Sequence, residues 1–286
     1  MELTDLFDKK DELLRLFKSD GRWVKIPANS GKCIVCSDLH NDCRTIKFII
    51  DNYFLNRSDT TIIICGDYID RSPPSMIPYP TATLEYLLLL KLRYPDKIFM
   101  LMGNHDLNPS KYVDFGDAEF WDYLSDCDDK MFYSDILESL PLIATTSNNV
   151  ICIHGVLPED QSIFDNFDLH SHELKECLWA DYTKNKEVVN YPNSFRKKRT
   201  RKYFDSSMSA FRSNLLIKGH NPYAPLVMYD RKCVTIQTSR IFAGLCDRHI
   251  AIVELGKPVF DANDIELVNI DTLIKNNSLK TIQKKT

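Results

Sequence analysis

Five short polar segments interrupt this chain, and each comes just after a short apolar run rich in β-branched residues. Runs of that length and composition predict buried strands. In an open α/β sheet, ligands bind beyond the carboxyl ends of the strands. We therefore expect Asp, His and Asn side chains to gather at one edge of a sheet. The segments are Asp38-Leu39-His40, Gly66 to Arg71, Gly103 to Asp106, His154-Gly155 and Gly219-His220.

The residue types in these segments suit a pair of divalent metal ions. Carboxylate, imidazole and amide oxygen bind borderline ions such as Mn, Fe, Zn or Ni, and the absence of cysteine from the set argues against structural zinc. An aspartate between two ions can bridge them, and two ions about 3.5–4 Å apart activate water and stabilise an in-line displacement at phosphorus. Arg71 offers a planar fork for phosphate oxygens. His105 follows a ligand candidate directly and could protonate a leaving group.

Each segment is weak evidence when it is taken alone. An Asp-x-His is common, and Gly103 to Asp106 could be a simple turn, because Gly and Asn both tolerate left-handed backbone. Five such segments in this order, each after a predicted strand, are hard to obtain by chance. The joint pattern therefore predicts a two-metal phosphoesterase.

In this order the segments resemble the PPP family of serine/threonine protein phosphatases, within the calcineurin-like metallophosphoesterases. The stretch from Gly66 to Asp106 is similar to the central segment of that family, and Leu178-Trp179-Ala180-Asp181 resembles its Leu-Trp-Ser-Asp. The segment from Thr238 to Gly244 stands where the family has Ser-Ala-Pro-Asn-Tyr-Cys-Gly. The resemblance covers roughly residues 30–256.

The resemblance implies a fold, a cofactor and a set of site residues. The fold is α/β, with two packed mixed β-sheets flanked by helices, and the cofactor is two divalent metal ions, such as Mn, Fe or Zn. A second phosphate-binding arginine is expected between Phe195 and Lys202, where Arg199 is our choice. The implied roles are Asp38, His40 and Asp67 at the first ion; Asp67 as a bridge to the second; Asn104, His154 and His220 at the second ion; His105 as catalytic acid held by Asp70; and Arg71 on the phosphate.

The chain also departs from the family pattern at several positions, none of which is a metal ligand. These departures predict altered loop geometry and leave the substrate open. Ser37, Asn41 and Ser72 replace glycines, Asp106 replaces Glu, Val156 replaces the second Gly after His154, Lys218 replaces Arg, and Phe242 replaces a tyrosine near the substrate.

Composition narrows the class of protein. The formal net charge of −4 predicts no general attraction to nucleic acid. No apolar run has membrane-spanning length, and the charged stretch from Met1 to Asp20 is unlike a signal peptide, so we expect a cytoplasmic protein without membrane contact. The nine scattered cysteines predict buried free thiols in a reducing compartment. Cys33-x-x-Cys36 lies in a predicted strand, which disfavours a redox motif.

We expect one domain over residues 1–286, since no linker interrupts the motif-bearing core at about 30–256. The sequence does not indicate an oligomeric state. Strands up to Gly103 alternate with helices and should be parallel, whereas those after Leu215 are close together and should be antiparallel. The proline-rich segment 72–80 predicts an extended surface loop, which could also rim the substrate cleft. The expected helices lie near residues 45–54, 83–93, 117–127 and 131–139, after one or two N-terminal helices.

The leading hypothesis is a phosphomonoesterase that removes phosphate from phosphoserine or phosphothreonine in proteins, by direct attack of a metal-bridging hydroxide. A first alternative is a dinucleoside polyphosphate hydrolase of the same superfamily, because that branch also carries Gly-Asn-His-Asp. The Asp70-Arg71 pair favours the protein phosphatases. A second alternative is an inactive phosphatase-like binding protein, which the intact metal, acid and arginine positions disfavour.

Overall fold

The computed structural model describes residues 4–112, 118–191, 194 and 196–283. Helices and strands alternate along the first part of the chain. The helices are α1 (Thr4–Phe7), α2 (Lys10–Asp20), α3 (Cys43–Tyr53), α4 (Ala82–Arg93), α5 (Glu119–Tyr123), α6 (Cys127–Glu138), α7 (His172–Trp179), α8 (Arg201–Ala210) and α9 (Ile270–Gln283), with 3-10 turns at Ser162–Phe164 and Arg240–Phe242.

Two mixed sheets organise the strands. The strands are β1 (Trp23–Lys25), β2 (Lys32–Cys36), β3 (Thr60–Ile64), β4 (Ile98–Met100), β5 (Ile143–Thr145), β6 (Val150–Ile153), β7 (Asp181–Tyr182), β8 (Lys198–Arg199), β9 (Leu215–Lys218), β10 (Val227–Met228), β11 (Cys233–Thr235), β12 (His249–Glu254) and β13 (Glu266–Asn269). One sheet has the order β13-β12-β2-β3-β4 and the other β1-β5-β6-β9-β11-β10, while β7 and β8 pair separately.

The two sheets pack face to face through one apolar layer. Cys33, Val35 and Ile63 of the five-stranded sheet belong to the same buried cluster as Cys152 and Ile217 of the six-stranded sheet. Because side chains alternate along a strand, the residues between them point to the opposite faces, where the helices pack. The expected fold class, two packed mixed sheets flanked by helices, is confirmed.

Most local predictions hold, and one was too simple. β2, β3 and β4 are parallel, as the strand–helix alternation predicted. After Leu215, β10 pairs antiparallel with β11 as expected, but β11 runs parallel to β9 on its other side, because those two strands are neighbours in the sheet and not in the sequence. β12 does pair antiparallel with β2 and β13. The expected helix at 117–127 is the shorter α5, and residue 117 itself lies outside the described residues.

The cysteines are free thiols, and most of them are buried. Cys33 and Cys36 stand three residues apart in β2, so their side chains point to opposite faces of the sheet. The pair therefore cannot act as a redox dithiol in this fold. Among the described residues, no helix is long and apolar enough to cross a membrane.

Candidate metal centre

The predicted site residues lie on loops that leave the carboxyl ends of five strands. β2 leads to Asp38 and His40, β3 to Asp67, Asp70 and Arg71, and β4 to Asn104 and His105. The second sheet supplies the remaining histidines: β6 leads to His154, and β9 leads to His220. Because the two sheets pack together, their strand ends converge, and the loops bond to one another across the gap. The site is built jointly by both sheets.

Strained backbone aims these side chains. A positive φ is uncommon outside glycine, although Asn, Asp and His tolerate it best, and such strain clusters at functional sites. The positive-φ residues here include Asp38 (48°), His40 (42°), Asp67 (57°), Asp70 (59°), Arg71 (49°) and His220 (72°).

Hydrogen bonds between the loops hold this strain in place. The His40 N–H donates to the Asp67 carbonyl at 2.8 Å. The His220 N–H donates to the Asp38 carboxylate at 2.9 Å, and the His105 N–H donates to Asp67 Oδ1 at 3.0 Å. Each bond joins loops from two different strands, so the position of each candidate ligand depends on its neighbours.

Asp67 lies at the centre of two groups of potential metal ligands. Asp38, Asp67 and His154 form one group, and His40, Asp67 and His105 form the other; within each group the ligand atoms lie within 4.8 Å of one another. The Asp67 Oδ2 atom is 3.5 Å from both His40 Nε2 and His154 Nε2. A carboxylate shared by two groups has the placement that a bridge between two ions requires.

Asn104 connects His220, the remaining histidine, to this centre by way of His154. Its Oδ1 is 2.8 Å from His154 Nε2 and 2.8 Å from His220 Nδ1. Its Nδ2 is buried and has no hydrogen-bond partner among the residues that the structure describes. Convergence of two imidazole nitrogens on one amide oxygen is the arrangement expected where all three atoms bind a common cation. The donor set of carboxylate, imidazole and amide oxygen fits divalent ions of the Mn, Fe and Zn type.

Backbone carbonyls select which nitrogen of each histidine faces the centre. His40 Nδ1 lies 3.1 Å from the Ile69 carbonyl, and His154 Nδ1 lies 2.7 Å from the Cys65 carbonyl. His220 is turned the other way, with Nε2 2.8 Å from the Trp179 carbonyl. A carbonyl on one ring nitrogen fixes the tautomer and leaves the other nitrogen as a metal ligand.

Burial sets the protonation of the candidate ligands. It holds the pKa of His40 and of His220 well below the usual value, and it lowers the pKa of His154, so these imidazoles are neutral and able to bind metal. Burial raises the pKa of Asp38 to about 6 and that of Asp67 to about 7. In the metal-free protein these carboxylates therefore take up protons as the pH falls through about 7 and about 6, and a bound cation must displace any proton they hold.

His105 and Asp70 form a buried pair beside Asp67. His105 Nδ1 lies 3.2 Å from Asp70 Oδ2, and Asp70 Oδ1 accepts the Phe120 N–H at 2.9 Å. Asp70 thus uses one oxygen to hold the imidazole and the other to fix its own orientation. The geometry permits His105 either as a proton donor or, together with His40 and Asp67, as a metal ligand.

Comparison with known proteins identifies the family. The model of the calcineurin-like phosphoesterases matches residues 31–223, well over half of the chain. The chain belongs to this family. Its members use divalent metals, in agreement with the ligand clusters around Asp67.

Solved structures share the fold of this phosphoesterase at low sequence identity. A serine/threonine phosphatase from Saccharomyces cerevisiae, with similarity to human PP5, has a TM-score of 0.75 and 17% identity, covering 94% of this chain and 90% of its own. A putative diadenosine tetraphosphatase has a TM-score of 0.52 and 17% identity, covering 87% and 98%. A cold-active protein tyrosine phosphatase has a TM-score of 0.52 and 15% identity, covering 82% and 75%. At these identities the likeness concerns the fold.

The two arginines that the sequence proposed for phosphate binding, Arg71 and Arg199, lie in different environments. Arg71 is exposed at the rim, and its charge contributes, after burial, to the low pKa of His40. The guanidinium of Arg199 is bound to Glu176 and stacks over the Tyr203 ring at 4.4 Å. A role for Arg199 on the phosphate stays a prediction.

Arg196 is linked to the candidate metal centre through Asp181. Its Nε donates to Asp181 Oδ2 at 3.1 Å, and Asp181 Oδ1 lies 3.9 Å from His220 Nε2. After burial, the charge of Arg196 is also among the causes that lower the pKa of His154 and His220. The sequence shows both arginines in one basic run, and only the pairing with Asp181 distinguishes them.

Asp106, which replaces the usual glutamate, joins two of the strand-end loops. Its Oδ2 accepts the N–H groups of Asp67 at 2.9 Å and of Gly103 at 2.7 Å, and its Oδ1 accepts the Tyr68 N–H at 2.9 Å. Gly103 cannot be larger, because a Cβ there would lie 2.3 Å from Asp67 Oδ1. Asp106 therefore positions the backbone on which Asp67 stands.

Sequence reasoning did not assign a role to Asn41, which takes the place of a glycine. Asn41 adopts the left-handed backbone that a glycine would, with φ of 54°. Its Nδ2 donates to the Tyr79 carbonyl at 2.9 Å and to Ser72 Oγ at 3.1 Å, and its Oδ1 accepts the Thr83 N–H at 3.1 Å. The proline-rich segment is thus attached to the loop that carries His40. The sequence signal for this role was an Asn, whose amide can both donate and accept hydrogen bonds, at a position where the family has glycine.

Proposed function

We propose that this protein is a metal-dependent phosphomonoesterase that hydrolyses phosphoserine and phosphothreonine in proteins. The observation that supports this most directly is the buried His105–Asp70 pair beside Asp67. The alkoxide that leaves from phosphoserine is a strong base, and a positioned acid removes the need to expel it unprotonated. The exposed Arg71 beside this pair offers a bidentate contact for the phosphoryl oxygens.

The residues divide the work as follows in this proposal. When bound, two divalent ions supply an activated water molecule and neutralise charge on the phosphoryl oxygens. Asp67, which belongs to both groups of candidate ligands, would bridge the two metal positions. Arg71 orients the phosphoryl group at the rim, and His105 gives the proton on its Nε2 to the leaving oxygen while Asp70 accepts a hydrogen bond from Nδ1. As the family resemblance implies, Asp38, His40 and Asp67 would hold one ion, and Asp67, Asn104, His154 and His220 would hold the other. In the structure Asp67 lies within ligand distance of Asp38 and His154, and also of His40 and His105. Asn104 Oδ1 meets His154 and His220.

Arg196 takes the place of Arg199 as the second phosphate-binding arginine in this proposal. Both arginines are paired with a carboxylate, but the Arg196 side chain is 46% exposed and that of Arg199 only 25%, so Arg196 can turn toward a ligand more readily. Arg196→Ala should weaken the binding of inorganic phosphate as a competitive inhibitor, while Arg199→Ala should leave it nearly unchanged. If Arg199→Ala weakened phosphate binding more than Arg196→Ala, Arg199 would be the second phosphate-binding arginine.

A dinucleoside polyphosphate hydrolase is the second candidate. The similar fold of a putative diadenosine tetraphosphatase and the Gly103-Asn104-His105-Asp106 sequence both favour it. Such an enzyme breaks a phosphoanhydride bond, whose leaving group is already a stable anion and needs little help from an acid. The presence of a buried acid pair, His105 and Asp70, therefore favours a phosphomonoester as the substrate.

A panel of three substrates tests the proposal. Phosphoserine and phosphothreonine peptides, diadenosine tetraphosphate and bis-nitrophenyl phosphate would be compared by kcat/KM with Mn present. We expect the phosphopeptides to be the best substrates and chelation to abolish all turnover. Diadenosine tetraphosphate as the best substrate would establish the second candidate, and no turnover of any substrate by metal-loaded protein would indicate a binding protein.

A further inference from the structure

Ser37 stands directly before the candidate ligand Asp38, at one of the positions where the chain departs from the glycine of the family pattern. The residue is fully buried. Its hydroxyl donates to Asp38 Oδ2 at 2.5 Å, and the same oxygen lies 3.3 Å from the Cys65 carbonyl. A hydroxyl has one proton to donate, and the closer, charged acceptor makes the stronger bond. The Ser37 side chain is therefore directed at a candidate metal ligand.

The hydrogen bond from Ser37 makes the two oxygens of Asp38 unequal. The His220 N–H is shared between them, at 2.9 Å from Oδ2 and 3.1 Å from Oδ1. With the Ser37 hydroxyl, Oδ2 accepts two hydrogen bonds, which occupy the lone pairs that an ionised carboxylate oxygen offers. Among the residues that the structure describes, Oδ1 accepts only the shared N–H. Oδ1 is therefore the oxygen with a lone pair available for a metal ion.

The surrounding backbone fixes the position of the Ser37 hydroxyl. The Ser37 N–H donates to Thr238 Oγ1 at 3.0 Å, and the Thr238 N–H donates to the Ser37 carbonyl at 3.1 Å. The backbone of Gly219 packs on the other side, where an added Cβ would lie 1.7 Å from Ser37 Oγ and 1.9 Å from Asp38 Oδ2. The hydroxyl is thus enclosed against the carboxylate, and it has little room to turn away.

We propose that Ser37 is a positioning residue that holds the Asp38 carboxylate so that it binds its metal ion through Oδ1 alone. The inference rests on the proposed function, which assigns Asp38 to one of two ions. Hydrogen-bond partners of a ligand orient it before the ion arrives, and their loss commonly costs about 10–100-fold in metal affinity. A glycine at position 37 has no hydroxyl and could not make this bond. The departure from the family pattern therefore adds a contact to a metal ligand.

Calorimetric titration of the metal-free protein with Mn tests this proposal. Ser37→Ala should weaken the binding of one of the two ions by about tenfold or more, and it should change the binding of the other ion less. The titration is run at about pH 8, so that protons on the ligands compete little with the metal. Ser207→Ala is the matched control and should keep the wild-type affinities, because Ser207 is also fully buried but its hydroxyl has no partner among the described residues.

Ser37→Ala is expected to fold, because the two bonds with Thr238 use the backbone of Ser37 and survive the substitution. The melting temperature of the metal-free protein separates positioning from a merely structural role. In the proposal this temperature stays close to that of the wild type while Mn affinity falls, whereas a structural role would lower the temperature and leave the affinity unchanged. Ser37→Gly also removes the hydroxyl, and it provides a second variant if Ser37→Ala is not recovered.

Several results would overturn the inference. Wild-type or tighter Mn affinity at both sites of Ser37→Ala would do so. An equal loss of affinity in Ser207→Ala would also do so, because it would show a general response to the loss of a buried hydroxyl. A wild-type protein that binds no Mn would contradict the proposed function as well, whereas two ions bound with the same affinities by the wild type and by Ser37→Ala would contradict this inference alone.

Discussion

Replacing His105 with Asn tests whether this residue acts as a general acid or only as a positioning group. His105 Nδ1 lies 3.2 Å from Asp70 Oδ2, so a proton for the leaving oxygen would come from Nε2. Serine leaves as a strongly basic alkoxide, whereas nitrophenolate leaves without a proton. We expect His105→Asn to slow a phosphoserine peptide more than a nitrophenyl ester by an extra factor of about 10²–10⁴. This factor corresponds to roughly 2.7–5.4 kcal/mol of transition-state stabilisation.

Asp70→Asn should show a weaker form of the same pattern. The Phe120 N–H donates to Asp70 Oδ1 at 2.9 Å, so the oxygen of the new amide is held there and its NH₂ group faces His105 Nδ1. That contact favours the neutral imidazole, which is a much weaker acid than the imidazolium stabilised by a carboxylate. Selective loss of the peptide reaction in both variants would link the two residues as one unit.

The assay measures kcat/KM for both substrates with saturating Mn, together with the metal content of each variant. Metal content must stay at the wild-type level, because His105 also lies within ligand distance of His40 and Asp67. If His105→Asn slows the two substrates equally with its metal intact, His105 is a positioning or electrostatic group. Loss of one ion from the variant would show instead that His105 is a ligand.

Three further predictions concern the metals and the phosphate. Asp67→Asn should lower the bound metal from about two ions per chain to one or fewer, as measured by elemental analysis. The control Asp51→Asn, which changes an exposed carboxylate, should keep the wild-type metal content. Unchanged metal content in Asp67→Asn would rule out a bridge. Without metal, the pKa of Asp67 is about 7 and that of Asp38 about 6, so metal affinity should weaken as the pH falls from about 8 to 6. The protons released on metal binding should be detectable by calorimetry in two buffers. A metal affinity that is independent of pH in this range would contradict the displacement of protons from these carboxylates. Arg71→Lys keeps the charge but loses the planar fork, so kcat/KM should fall by about tenfold or more, equivalent to about 1.4 kcal/mol; unchanged kinetics would remove Arg71 from the site.

The gathering of the ligand candidates could be predicted from the sequence, because each of them lies on a loop that follows a strand. A strand is recognisable from a few apolar residues, and its carboxyl end fixes where the next polar residue will lie. The backbone carbonyls that orient the histidines could not be predicted, because they belong to residues far from those histidines in the sequence. Ile69, Cys65 and Trp179 face their histidines only after both sheets have packed.

The second arginine shows a different limit. Arg196 and Arg199 stand in the same basic run, and nothing in their immediate neighbours separates them. They are distinguished by their partners, since Asp181 draws Arg196 toward His220 and Glu176 holds Arg199 on α7. Those partners lie 15 and 23 residues away in the chain. Pairing at such separations depends on the fold and is invisible to local pattern.

The replacement of glutamate by Asp106 shows how a conservative change acts through the backbone. The Asp106 carboxylate collects three N–H groups from two loops, and a Cβ at Gly103 would meet Asp106 Oδ2 at 2.9 Å, so the space around this carboxylate is already filled. A longer side chain would have to move the loop after β4 relative to the loop after β3. Asp67 stands on one of these loops and Asn104 on the other. The spacing between the proposed bridge Asp67 and the proposed ligand Asn104 therefore depends on Asp106, a residue outside the proposed ligand set.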